Sequence, residues 1–114
     1  MPVVTEVVTR GRSRLADLWL DDGSVVTLSR DTVGSLSIKA GTAFSATELA
    51  SVRAEDERAR AVAAAVRLLS LRARSRKDLG ERLRRRGFRA AAVEAALTRM
   101  AALGYLDDAA FARS

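Results

Sequence analysis

Apolar residues alternate with polar ones over the first forty positions and fall at three- and four-residue steps over the rest. The chain therefore divides into a strand-forming front and a helical remainder. Val3, Val4, Val7 and Val8 predict a first strand, and Leu15, Leu18, Trp19 and Leu20 a second. Asp22-Gly23 is a hairpin signal, because glycine tolerates the positive φ of a tight turn, and Val25, Val26 and Leu28 form the returning strand. Ser29-Arg30-Asp31 opens a short helical turn through Val33, and an extended segment around Leu36–Lys39 ends at Gly41. A sheet of three or four strands follows, one that needs a neighbour to pack on.

From Ser45 onward the pattern is helical. Ser45-Ala46-Thr47-Glu48 has the form of a capping box and predicts a short helix over 46–53. A longer helix is expected over 55–72, with Glu55, Asp56 and Glu57 at its positive end and Arg67, Arg72 and Arg74 towards its negative one. Its apolar stripe is read as Ala59, Val62, Val66 and Leu69, with Arg60, Arg67 and Arg74 on another face. A further helix is expected from Arg76 to Arg86, with Ser75 as N-cap and Leu79 and Leu83 inward. Gly80 weakens that helix and marks a close helix crossing, and Gly87 ends it so that Phe88 folds back. The next helix covers 90–103 with Val93, Ala96, Leu97, Met100 and Leu103 as its apolar face. Gly104 repeats the stop, and Asp107 or Asp108 caps a last helix through Ala109, Ala110 and Phe111. Three helices with short joints make a trihelical unit.

The expected fold class is α+β: a small N-terminal antiparallel β module over 1–44, a three-helix repeat with a lead-in helix over 45–104, and the start of a second helical repeat over 105–114. A chain that stops just after a helix start is expected to be incomplete. At 114 residues the core is modest, and with only 4% aromatics Ala, Leu and Val carry the packing. The absence of cysteine removes disulfides and thiolate zinc sites. Apolar runs fall short of the roughly 20 residues that span a bilayer, and the N-terminus lacks a signal-peptide layout. A soluble, cytoplasmic, monomeric protein without cofactor or membrane partner is expected.

Charge changes the picture most. The net +6 sits entirely in the helical half, and residues 58–89 hold 12 basic groups against Asp78 and Glu81. Such a concentration repels itself unless a polyanion or an acidic surface relieves it. Arginine dominates the cluster, which suits bidentate contact with phosphate or carboxylate. The alternative reading is a solvated helix face.

The helical residues resemble the RecX family. The run Leu68-Leu69-Ser70-Leu71-Arg72-Ala73-Arg74-Ser75-Arg76-Lys77-Asp78-Leu79 resembles its first signature, a leucine-rich helix that ends in basic residues and Ser before a short helix bearing an acid and Leu. Leu83, Arg86, Gly87 and Phe88 match the end of that helix. Val93, Leu97, Leu103-Gly104-Tyr105-Leu106-Asp107-Asp108 and Phe111-Ala112 match the passage to a second repeat. Leu20-Asp21-Asp22-Gly23 with Val25-Val26, and Lys39-Ala40-Gly41-Thr42 to Glu48-Leu49, resemble the β-rich N-terminal segment of some members. The resemblance implies tandem three-helix repeats in an elongated, curved body. It also implies a regulator that binds the groove of the RecA recombinase filament on DNA and inhibits strand exchange, ATP hydrolysis and co-protease activity. The family usually carries several such repeats, and one repeat spans less of the groove.

No catalytic constellation is present. Without His or Cys the usual general base and thiol nucleophile are missing, and Asp21-Asp22 and Asp107-Asp108 read as a turn and a helix cap. The expected partner-binding residues are Arg67, Arg72, Arg74, Arg76, Lys77, Arg82, Arg84, Arg85, Arg86 and Arg89, facing DNA phosphates or acidic RecA surface. Trp19 is expected to pack within the hairpin, and Phe88 and Tyr105 to pack against the helices; none is a strong candidate for base stacking. An arginine-crowded helix without Asn or Gln favours backbone contact over base reading. The competing function is a stand-alone, sequence-independent DNA-binding helical module that acts without RecA.

Overall fold

The computed structural model describes residues 1–108, so the expected last helix through Phe111, and the Phe111-Ala112 match, lie outside the described residues. The chain forms two compact units, Met1–Asp56 and Glu57–Ser114.

In the first unit, β1 (Val4–Thr9), β2 (Leu15–Leu20) and β3 (Val25–Ser29) form an antiparallel sheet in the order β1-β2-β3. Val7 lies opposite Leu18, and Leu18 opposite Val26, with an irregularity in register between Val4 and Glu6. Because side chains alternate across a strand, this register puts Val4, Leu18, Leu20, Val26 and Leu28 on one face, where Ile38 and Phe44 join them in the core. The hairpin closes at Asp22-Gly23: Leu20 N donates to Ser24 O at 2.9 Å, and Gly23 sits at φ +86°. The same alternation turns Trp19 outward, opposite Val25, and leaves it 42% exposed. The expected packing of Trp19 within the hairpin is thereby corrected, because Leu18 and Leu20 already take the inner positions.

Ser29 caps α1 (Arg30–Ser35). The extended segment expected around Leu36–Lys39 does not become a strand. Ser37 turns left-handed at φ +53° and Gly41 turns again at φ +96°, leaving too few residues between them. The chain instead runs beside the start of β1, with an isolated bridge between Val3 and Ala43 and with Val4 N donating to Thr42 O at 2.8 Å. Asp56 is buried as an acceptor for this corner: Ser29 N donates at 3.1 Å, Ser29 Oγ at 2.8 Å and Thr32 Oγ1 at 2.6 Å. Several donors offset the cost of taking a carboxylate out of water.

The two helices expected over 46–53 and 55–72 are one helix, α2 (Ala46–Leu71). Arg53-Ala54-Glu55 contains no breaker, so nothing ends the first piece. The capping box forms as expected, with Glu48 N donating to Ser45 Oγ at 3.0 Å and Ser45 N to Glu48 Oε1 at 3.2 Å. The acidic triplet therefore lies within the helix, where Asp56 holds α1 and Glu57 accepts from Arg89 N at 2.7 Å.

The second unit packs the later part of α2 with α3 (Arg76–Arg85) and α4 (Ala90–Ala102). Its core is Ala61, Ala64, Ala65 and Leu68 with Leu79, Leu83, Ala92, Val93, Ala96, Leu97 and Met100. The expected α2 stripe is thus rotated: Val62 and Leu69 sit at the core's edge, while Ala59 and Val66 are exposed. Large side chains are a poor guide to this face, because alanines line the contact and let the helices approach. Gly80 serves the same end, since a Cβ there would stand 3.3 Å from Leu97 Cδ1. Gly87 (φ +93°) and Gly104 (φ +75°) each close a helix with paired reverse hydrogen bonds. Gly87 N donates to Arg84 O and Phe88 N to Leu83 O; Gly104 N donates to Ala101 O and Tyr105 N to Met100 O. Phe88 folds back onto the core as expected. Leu103 and Tyr105, expected to pack, are 43% and 53% exposed, because α4 ends at Ala102 and the reversal at Gly104 brings the chain back to the core only at Leu106.

Candidate interaction surface

Arg74 marks where the expected cationic face and the observed one part. It is buried: its Nε donates to Leu68 O at 3.2 Å and its Nη1 meets Asp78 Oδ2 at 3.0 Å. Arg74 follows the end of α2, so the seven-residue step linking it to Arg60 and Arg67 does not hold it on the helix face. Its carbonyl accepts from Asp107 N at 2.9 Å, tying the segment after α4 to the start of α3. Ser75 then caps α3 through Asp78 N at 3.1 Å, and Asp108 Oδ1 accepts from Arg76 N at 2.8 Å. A carboxylate of the chain itself thus occupies the anion position that a helix N-terminus offers.

Three more of the expected binding residues reach acids. Arg82 Nε lies 3.4 Å from Asp78, Arg76 Nη2 lies 3.2 Å from Glu94, and Arg89 Nε lies 3.8 Å from Glu57. These three remain well exposed, and such surface pairs are each worth little. Arg67, Arg72, Lys77, Arg84, Arg85 and Arg86 are exposed, and no ion pair holds them among the described residues. On α3, Leu79, Gly80 and Leu83 face inward. Successive residues turn by about 100°, so Arg84 and Lys77 lie to one side, Glu81 and Arg85 at the exposed crest, and Arg82 beyond it.

Asp78 is the electrostatic pivot. The hydrogen bond from Arg74 holds its carboxyl below the usual carboxylate range, with the Arg82 charge adding to the effect and desolvation opposing it. The folded-state pKa lies below the unfolded one, so the stabilisation is complete above about pH 4 and is lost as pH falls through the depressed value. Urea titrations from pH 6 down to pH 2.5 will show a loss of stability that Asp78→Asn flattens. Parallel pH profiles for the two proteins would contradict this role.

Sequence reasoning missed Asp78, Glu94 and Asp108 as partners. The i,i+4 spacing of Arg74 and Asp78 signals the first pair, whereas the other two depend on tertiary contacts. The unit these residues build matches the family model for RecX, first three-helix domain, over residues 61–100. The chain is similar to RecX proteins along nearly its whole length. It is 26% identical over 113 residues to the regulatory protein RecX of Lactobacillus johnsonii, covering 99% of this chain and 42% of that protein. The regulatory protein RecX of Lactobacillus delbrueckii subsp. bulgaricus is 27% identical over the same length, again with 99% and 42% covered. The crystal structure of a regulatory protein RecX superposes with a TM-score of 0.61 at 19% identity, covering 98% of this chain and 55% of that one, and so shares the fold. The chain spans less than half the length of these curated RecX relatives. No described helix is long and apolar enough to cross a membrane.

Proposed function

We propose that this chain is a RecX-type regulatory binding protein that engages RecA filaments on DNA and lowers RecA activity through the exposed cations of its three-helix unit. The observation that carries this reading is the set Arg67, Arg72, Lys77, Arg84, Arg85 and Arg86, exposed and free of ion pairs among the described residues. A fold that needed these charges for its own stability would pair them, as it pairs Arg74. Arg76, Arg82 and Arg89 supplement the surface, since weak exposed pairs exchange readily for a stronger anion. Arg74 serves the fold.

Phosphate contact is sequence-independent and releases counterions. If six cations each neutralise one phosphate on duplex DNA, log affinity falls with log salt at a slope of about −5. The decisive measurement is retention on RecA–DNA filaments alongside DNA-stimulated ATP hydrolysis by RecA. Binding and slower hydrolysis are expected. Arg84→Glu with Arg85→Glu should weaken retention about tenfold, or ~1.4 kcal/mol, with helix content unchanged. Retention on bare DNA equal to that on filaments would replace this reading with a stand-alone DNA-binding module. Binding that stays flat from low to moderate salt would remove the phosphate contacts.

A further inference from the structure

The sheet has two unlike edges. Along β1 the segment 41–43 covers the start of the strand: Gly41 N donates to Val4 O at 2.7 Å, and the register irregularity between Val4 and Glu6 follows directly. β3 has no such cover, since the sheet ends there in the order β1-β2-β3. The hydrogen-bond phase of β3 is fixed from both ends, because Leu20 N donates to Ser24 O at 2.9 Å and Arg30 N to Arg14 O at 2.8 Å. Pairing alternates along an antiparallel ladder, so Val26 and Leu28 turn their backbone groups to β2, while Val25 and Thr27 turn theirs outward. Among the described residues no hydrogen bond meets the backbone of Val25 or Thr27 from that side. The open stretch ends at Ser29, whose N–H is taken by Asp56 at 3.1 Å. Natural sheets guard such edges with lysine, proline or a bulge, and Val25-Val26-Thr27-Leu28-Ser29 carries none of them.

We infer that β3 is a dimer edge, on which β3 of a second copy pairs antiparallel about a two-fold axis between the two Val26 residues and joins the two three-stranded sheets into one. This goes beyond the proposed function, does not rest on it, and replaces the monomer expected from the sequence. Outward N–H and C=O groups at strand spacing are met in full by another extended polypeptide, which a nucleic acid cannot imitate. Register selects a copy of the same strand. With Val26 facing Val26, Val25 and Thr27 of each copy meet Thr27 and Val25 of the other as hydrogen-bonded pairs, so every outward group of the open stretch finds a partner. Charge selects the antiparallel sense. Asp21 and Asp22 lie in the turn before β3, and Arg30 follows its other end, beside the turn that holds Arg10, Arg12 and Arg14. Asp22 and Arg30 each stand four positions from Val26, so the two-fold sets Asp22 of each copy at the level of the other's Arg30. Asp22 accepts from the hydroxyl and the N–H of Ser24, which hold its carboxyl below the usual range and keep that end charged. Asp17 and Asp31 share the basic end, where Asp17 is paired with Arg10 at 3.6 Å and Arg30 Nη2 donates to Gly11 O at 2.8 Å. Arg12 and Arg14 are exposed there, with no ion pair among the described residues. Parallel pairing would instead bring Asp22 against Asp22.

The test uses the whole chain. Sedimentation equilibrium from about 10 μM to about 1 mM should show monomer giving way to dimer. Hydrogen exchange of the 15N-labelled chain should slow about tenfold or more at the Val25 and Thr27 amides between those concentrations, while the Val26 and Leu28 amides, already bonded to β2, exchange slowly at both. Thr27→Pro removes an outward donor and leaves the β2 ladder its bonds, so the dimer Kd should rise about tenfold or more. Val25→Lys with Thr27→Lys sets lysine directly opposite lysine across the seam and should do the same, with the circular dichroism of the monomer unchanged. A monomer at every concentration, a dimer whose Val25 and Thr27 amides exchange alike at both concentrations, or a dimer indifferent to both variants would overturn the inference. The exchange pattern is read on the unaltered chain, so it decides the outcome even where a variant fails to fold.

Discussion

Arg74→Ala will destabilise the helical unit by about 2–4 kcal/mol, even though it removes a positive charge from the most cationic stretch of the chain. The substitution deletes the donor to Leu68 O and the partner of Asp78, and leaves both acceptors in partly buried positions. Relief of charge repulsion works the other way, but it acts between exposed groups and is screened within about 10 Å. The lost buried contacts therefore dominate. Urea unfolding followed by circular dichroism should show the midpoint lowered by about 1–2 M. Arg74→Lys should recover only part of the loss, because an ammonium cannot serve Leu68 O and Asp78 Oδ2 with the fork of a guanidinium. A midpoint unchanged by Arg74→Ala would return this residue to the interaction surface.

A comparable loss is expected at the other end of the polarity scale. Leu83 is fully buried between α2, α3 and α4. Leu83→Ala removes its transfer free energy and leaves a cavity that small alanine neighbours cannot close, so about 2–5 kcal/mol should be lost. Leu71, at 76% exposed, supplies the comparison: Leu71→Ala should change stability by no more than about 0.5 kcal/mol. Similar costs at the two positions would mean that the core lies elsewhere on these helices. The pair tests whether packing is concentrated on the alanine-lined seam.

Much of this fold is legible in the chain because local rules carry it. The Ser45–Glu48 box, the Asp22-Gly23 turn, the Ser75 cap and the stops at Gly87 and Gly104 each depend on a few neighbouring residues, and each stands where the pattern puts it. What depends on tertiary placement is less visible. The break expected near Arg53 rests on acids that suit a helix start, yet Asp56 and Glu57 bind Ser29 and Arg89, which are distant in sequence. The α2 stripe is hard to place from sequence because alanines pack closest while larger side chains dominate the pattern. The cationic cluster is visible as charge, but not which guanidinium turns inward. Burial of Arg74 follows from the chain direction after α2 and from the position of Asp78, and composition carries neither.

The outward turn of Trp19 has a spectroscopic consequence. As the sole tryptophan, it makes indole emission a report on the sheet unit alone, with a red-shifted native spectrum owing to its contact with water. Tyr105 is the sole tyrosine and belongs to the helical unit, so the two chromophores report on different halves of the chain. Thermal melts read at both wavelengths will therefore reveal whether the units lose their structure in one cooperative event or in two.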